Sequence, residues 1–332
     1  MIRKAIVAAM TVAAAGLMLA SCKPAAPDQT LNFSIASAED QASMQKVWQP
    51  LLDDLNKQTG LHVVPHFASN YTSQIEAMQF NQVQLGWFPA LSTLQAVRRA
   101  NGEVLGRIVG DNGAGMSYAS VMIVKKGSGI TLADVLKCGK RYSFGLGDPE
   151  STSGTLAPMA YVFIPNNIDL QQCFSIVRQA NHQSNLFGVA NGVVDVATNN
   201  TIGLLFAKRE NPAVADKVEV IWTSPPLPES SIVARKDLDP AIKARLKDFF
   251  VHYGTAQGVQ GDHERAVLKG LAYGGFREAD VSYLDPVAEM VASQDLSTAK
   301  KSGDPAKIAA AQKAYDDEMA QIAAHQKAAP AS

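Results

Sequence analysis

The 332-residue chain has little cysteine, little aromatic character and no excess of either charge. Three cysteines cannot make a disulfide-built scaffold, so a hydrophobic core must hold the fold. Thirty basic residues stand against 31 acidic ones, and no basic stripe is interleaved with aromatics, which argues against a nucleic-acid partner. After the first 22 residues no apolar run approaches the length of a membrane span. No GxxxxGK[ST] loop and no GxSxG elbow is present, so neither a nucleotide site nor a hydrolase nucleophile is announced. His62 and His66 are four apart but flank Pro65 in a strand pattern, without a carboxylate beside them, which is a poor zinc site. No cofactor or metal is expected.

What is present begins with "MIRKAIVAAMTVAAAGLMLASC": Arg3 and Lys4, an apolar run, then small residues, the grammar of an export signal. "KPAAPDQT" follows as a polar, Pro/Ala-rich tether over 23–30. Roughly 300 residues remain, enough for two lobes. From residue 31 the pattern alternates short apolar strands with amphipathic segments. "LNFSIAS", "LHVVPHFA" and "VQLGWF" read as strands, each followed by a helix. "YASVMIVKK" opens a second such series, which ends with "KVEVIWTS" and "SSIVARKD". The expected fold is α/β: two doubly wound lobes joined by two crossings near 117–119 and 229–232, with a cleft at the carboxyl ends of the strands. The expected division is lobe 1 over 31–118 plus 231–295, lobe 2 over 119–230, and a C-terminal amphipathic helix and tail over 296–332. That helix carries Ile308, Tyr315, Met319 and Ile322 at helical spacing.

Cys138 and Cys173 each precede an apolar run. If those runs are neighbouring parallel strands, both cysteines lie at one sheet edge, where a disulfide is geometrically reasonable; two buried thiols are the alternative.

The stretch "GDPESTSGTLAP" (147–158) places Ser151, Thr152 and Ser153 between a strand and a helix, with Gly154 behind them. One hydroxyl suffices to cap a helix, whereas three can add donors to an oxyanion held at the helix start. Its position at a strand end, on the expected cleft, favours the anion.

Two resemblances extend this reading. Leu19-Ala20-Ser21-Cys22 resembles the lipobox of bacterial lipoproteins, which implies lipidation of Cys22 and a membrane-anchored protein in the periplasm. The segments "FASNYTSQIEAMQFNQVQLGWF", "GDPESTSGTLAP", "NHQSNLFGVANGVVDVATNN" and "VIWTSPPLP", in that order, resemble the periplasmic phosphonate-binding proteins of ABC transporters. The resemblance implies a type II periplasmic binding protein that delivers a small phosphorus oxyanion to ABC permease subunits. It implies that Ser151, Thr152, Ser153, Tyr71 and His182 grip the phosphoryl oxygens; His182 read alone is a capping or core histidine. Trp87, Phe88 and Asn199 are expected on the pocket wall. Relatives that take aminoalkyl phosphonates carry carboxylates where this chain has Ile202 and Ser230, and Trp-Tyr where it has Trp87-Phe88. Glu229, one position along an extended segment from Ser230, is expected to face away. These departures point to phosphite or methylphosphonate, ahead of phosphate, with 2-aminoethylphosphonate last. A lipoprotein that signals to a membrane sensor and an exported hydrolase are the other readings.

Overall fold

The computed structural model describes residues 30–110 and 118–328; the export signal, Cys22 and residues 23–29 of the tether lie outside them. The first series runs β1 (Thr30–Ile35), α1 (Gln41–Thr59), β2 (His62–Phe67), α2 (Tyr71–Gln79), β3 (Leu85–Phe88), α3 (Ala90–Arg99) and β4 (Gly102–Gly110). Asp40 and Asn70 cap α1 and α2 by accepting from Ser43 and Ser73 amides, and Gly60 ends α1 in the left-handed conformation. The buried face of α1, with Met44, Trp48, Leu51, Leu52 and Leu55, follows the helical period and packs on the sheet.

The second series runs β5 (Ser120–Lys125), α4 (Leu132–Leu136), β6 (Ser143–Leu146) and a helical segment from Thr152 to Phe163 wound largely as π turns. It continues through α5 (Leu170–Cys173), β7 (Ile176–Gln179), α6 (His182–Ala190), β8 (Val196–Asn200), α7 (Thr201–Glu210), α8 (Pro212–Ala215) and β9 (Val218–Thr223). The chain then returns through β10 (Ser231–Arg235), α9 (Pro240–His252), α10 (Gly258–Gly270) and β11 (Tyr273–Arg277). It ends in the helices α11 (Asp285–Ser302) and α12 (Pro305–Ala328).

Two sheets result, ordered β11-β4-β10-β3-β1-β2 and β7-β6-β8-β5-β9. The expected parallel core holds for β2-β1-β3 and for β7-β6-β8. Each sheet is mixed, however. The strands that follow a crossing, β5 and β10, run antiparallel to both neighbours because they enter from the opposite lobe. Where the two crossings meet, Tyr118 and Leu227 form an antiparallel bridge. Two strands escaped the pattern reading. β4, "GEVLGRIVG", has charges at Glu103 and Arg107, and β11, "YGGFR", has two glycines, so neither shows a clean apolar run.

The tail also differs from expectation. α11 runs unbroken through position 296, and the turn to α12 falls at Gly303, which is left-handed, followed by Asp304 and Pro305. Leu284, Val287, Ala288, Met290 and Ile322 pack with Leu91 and Leu94 of α3 and with Leu156 and Ala157, so the helical pair leans on both lobes beside the crossings. A disulfide joins Cys138 and Cys173, ahead of the parallel neighbours β6 and β7.

Candidate phosphoryl-binding cleft

The segment after β6 is shaped by two glycines. A Cβ on Gly147 would lie 2.5 Å from the Gly154 Cα, so only a glycine pair lets the strand end and the helical turn touch. The Gly147 amide donates to the Gly154 carbonyl at 3.0 Å, and Thr198 Oγ1 donates to the same carbonyl at 2.7 Å. Ser120 Oγ donates to the Ser153 carbonyl at 2.6 Å. The backbone behind the three hydroxyls is thereby fixed from β5, β6 and β8.

The three hydroxyls then part ways. Ser151 Oγ caps the turn, accepting from the Gly154 amide at 2.9 Å, and lies against the Tyr71 phenol of the other lobe. Ser153 Oγ sits 3.3 Å from His182 Nε2 and accepts from Asn200 Nδ2 at 3.3 Å. Ser151 and Ser153 line the cleft with Tyr71, Trp87 and His182. Thr152 is fully buried outside that lining, and its Oγ1 accepts from the Leu91 amide of α3 at 2.8 Å. It joins the lobes.

Other bonds across the seam accompany it. The Tyr71 amide donates to Asp148 Oδ2 at 3.0 Å, Ser92 Oγ to the Glu150 carbonyl at 2.9 Å, and the Asp40 amide to Gln183 Oε1 at 2.9 Å. Arg99 pairs with Glu150 at 2.5 Å and Lys46 with Glu210 at 2.8 Å. The lobes are closed on each other.

Two of the expected wall residues are placed differently. Phe88 is buried on the opposite face of β3, against Ile75, Met78, Val83 and Val233, because neighbours on a strand alternate sides and Trp87 takes the cleft side. A phenol at this position would therefore point into the core and add nothing to the cleft. Asn199 stands behind His182, donating to its carbonyl at 2.8 Å, while Asn200, the cap of α7, faces the cleft. Ile202 and Ser230 line the cleft as expected.

Glu229 does not face away. The segment from Pro225 to Ser230 is irregular apart from the Leu227 bridge, so strict alternation does not apply, and Glu229 and Ser230 both reach the wall. The Glu229 charge raises the phenols of Tyr118 and Tyr273, which burial has already pushed up. Glu39, on the loop after β1, is a second acid that pattern reading missed. Its Oε1 lies close to Gly203 in the first turn of α7, and burial, with the neighbouring Asp40 charge, lifts its carboxyl from 4.5 to about 8. The expected acid-poor wall is thus overturned. Tyr118, Tyr273, Met44 and Trp48 also line the cleft, and each lies outside any local sequence motif.

The electrostatics of the end that holds Ser151, Ser153 and His182 are those of neutral donors. No lysine or arginine lines the cleft among the described residues. Burial lowers His182 from 6.5 to about 4, so its ring is neutral at neutral pH. Two buried ring nitrogens in the lining, His182 Nδ1 and Trp87 Nε1, have no hydrogen-bond partner. α6 and α7 also begin at the cleft, at His182 and Thr201, and the helical segment begins at Thr152, so three positive helix ends point inward. Such a set can hold an oxyanion without an ion pair.

The model of the family "ABC transporter, phosphonate, periplasmic substrate-binding protein" matches residues 33–284. The chain belongs to this family. It is 39% identical over 276 residues to the phosphonates-binding periplasmic protein of Escherichia coli, covering 83% of this chain and 80% of that one. It is 26% identical over 236 residues to a phosphate-import protein of Mycolicibacterium smegmatis, covering 67% and 71%. Among solved structures, the binding component of an ABC phosphonate transporter from Pseudomonas aeruginosa superposes with a TM-score of 0.84 at 34% identity, covering 90% of this chain and 98% of that one. The chain is a phosphonate-binding periplasmic component of an ABC transporter, and its two-sheet architecture is that of the periplasmic binding proteins.

The state of His182 yields one pH prediction. Because its pKa is depressed from 6.5 to about 4 in the folded chain, the unfolded chain takes up the proton first as pH falls. Stability is full above pH 6.5 and is lost between there and pH 4, by on the order of 3 kcal/mol. Melting followed from pH 7.5 to 4.5 should fall more steeply in the wild type than in His182→Gln. Parallel curves for the two proteins would refute a buried neutral imidazole.

Proposed function

We propose that the protein captures a small phosphonate between its lobes by closing on it, and delivers it to the permease of an importer while tethered through lipidated Cys22. The observation that carries this reading is the convergence of Ser151, Ser153, Tyr71, the neutral His182 and the unpartnered Trp87 Nε1 in a cleft lined by no lysine or arginine among the described residues. Neutral donors fixed in advance recover the hydration an oxyanion loses on entry, and they leave no buried positive charge uncompensated after release. The first lobe contributes Tyr71 and Trp87, and the second contributes the serines and His182, so a bound phosphoryl group bridges the seam. Binding and closure are then one event.

The remaining wall, with Met44, Val47, Trp48, Ile202 and Leu271, is apolar and suits the P–CH₃ or P–H side of methylphosphonate or phosphite. Phosphate would turn a fourth oxygen toward these side chains and lose water there without a donor. A second reading, a substituent bearing an ammonium group, is favoured by Glu39, which such a group would draw into its ionised form although burial holds the carboxyl at about 8. A hydrolase draws no support from the geometry. Ser153 and His182 are neighbours, but His182 Nδ1 has no partner, so no carboxylate orients the ring as a base.

X-ray scattering with and without saturating methylphosphonate tests the reading. The radius of gyration should shrink on binding, and melting should rise by the linkage term, about 2.7 kcal/mol at 100 times the dissociation constant. Superimposable scattering profiles together with an unshifted melting curve would rule out capture by closure.

A further inference from the structure

Beside the cleft, between the same two lobes, lies a second and larger cavity, about 490 Å³ against about 80 Å³ for the cleft itself. The larger volume falls in the range of small-molecule pockets, roughly 300–1,000 Å³, whereas the smaller suits a head group only. Lobe 1 supplies Met44 and Val47 from α1 and Val267 from α10. Lobe 2 supplies Phe187 from α6 and Phe206 from α7. Glu39, Met44, Val47 and Phe206 border both cavities, so the second space continues the first. Its rim is spanned by the Lys46–Glu210 pair and by Arg209 Nη1 donating to the Lys269 carbonyl at 3.2 Å.

The seam on the other side is different. There Leu91 and Ser92 of α3 meet Thr152 and Glu150 in direct hydrogen bonds. Lobes that close around a bare phosphoryl group leave the apolar walls of the second cavity facing water, in a space large enough to hold it. An apolar group continuous with the bound head would take the place of that water.

We propose that the second cavity receives the organic substituent of the ligand, so that the protein favours phosphonates carrying an alkyl or aryl group larger than methyl. This rests on the phosphonate reading and extends it from a methyl group to a larger substituent. The phosphoryl oxygens stay with the serines, Tyr71 and His182. The substituent passes between Met44 and Phe206 and is covered by Phe187 and Val267. Each methylene so buried strengthens binding roughly fourfold before the cost of ordering the chain.

Calorimetric titration of methylphosphonate, butylphosphonate and benzylphosphonate against three proteins tests this. The wild type should bind benzylphosphonate at least about tenfold more tightly than methylphosphonate, with butylphosphonate between them. Phe187→Ser, which removes an apolar wall, and Val267→Trp, which fills the space, should each erase most of that preference. Both should leave methylphosphonate affinity within about twofold, since neither residue borders the phosphoryl cleft. Methylphosphonate bound as tightly as the larger ligands would overturn the proposal, as would a preference that survives both substitutions. Failure of all three phosphonates would instead dispose of the phosphonate reading on which it rests.

Discussion

Removing the Ser151 and Ser153 hydroxyls together, as Ser151→Ala with Ser153→Ala, is expected to weaken methylphosphonate binding by two to four orders of magnitude. A hydrogen bond to a charged group contributes about 1.5–3 kcal/mol, and two are lost. The two serines are not equivalent outside the site. Ser151 caps the helical turn through the Gly154 amide, so its loss also lowers stability by about 1 kcal/mol. The neighbours of the Ser153 hydroxyl are side chains: His182 and Asn200, both at 3.3 Å, and the Tyr118 phenol. Melting should therefore report mainly the Ser151 change, and affinity both. Thr152→Val is the internal comparison. Its hydroxyl accepts the Leu91 amide across the seam, so its loss should weaken every ligand by a similar factor through closure. Should the double variant melt earlier yet bind methylphosphonate undiminished, the serines are caps and the oxyanion sits elsewhere.

The extent to which the chain announced this site follows from how local each feature is. Ser151, Ser153 and His182 sit on strand-to-helix turns, where hydroxyls and amides cluster in consecutive positions, and they were readable. Thr152 was readable as a hydroxyl but not as an interlobe partner, because Leu91 lies 61 positions away and nothing in either segment points to the other. The reading of Phe88 as a wall residue failed for a reason that strand geometry could have supplied. Once Trp87 faces the cleft, its neighbour must face the core. Asn199 failed by one position in the same way, with Asn200 at the strand end turning to cap α7 and line the cleft. Glu229 departs in the opposite direction, because strand alternation does not govern an irregular segment. Glu39, Tyr118 and Tyr273 come from a loop, a crossing and a poorly patterned strand, and only the closed fold brings them together. The two-lobe plan was legible because most strands are short apolar runs followed by capped helices. β4 and β11 were not, since charges or glycines interrupt them.

Glu39→Gln is expected to shift the cleft away from ammonium-bearing substituents and toward uncharged ones. In the closed protein the Glu39 carboxyl titrates at about 8 rather than 4.5. If opening of the lobes exposes Glu39 and restores its ordinary pKa, the closed state binds a proton that the open state has released, and between pH 4.5 and 8 closure takes that proton up. A ligand with an uncharged substituent must bear this cost, on the order of 3 kcal/mol at neutral pH, and its affinity should fall as pH rises through that window. Glu39→Gln removes the titrating group, so methylphosphonate should bind up to about a hundredfold more tightly at pH 7.5 and with a flat pH profile. 2-Aminoethylphosphonate should behave in the opposite way. Its ammonium meets the ionised carboxylate, no proton is needed, and loss of that partner leaves a buried charge unpaired at a cost of about 3–5 kcal/mol. The ratio of the two affinities should thus swing by at least about three orders of magnitude between wild type and variant. Titrations in buffers of differing ionisation enthalpy add a second readout. The wild type should take up close to one proton on binding methylphosphonate at pH 7, and the variant none. If Glu39→Gln changes neither the ratio nor the proton count, the carboxyl stands outside the ligand's field. Glu229, on the far wall with Tyr118 and Tyr273, would then be the acid to replace next.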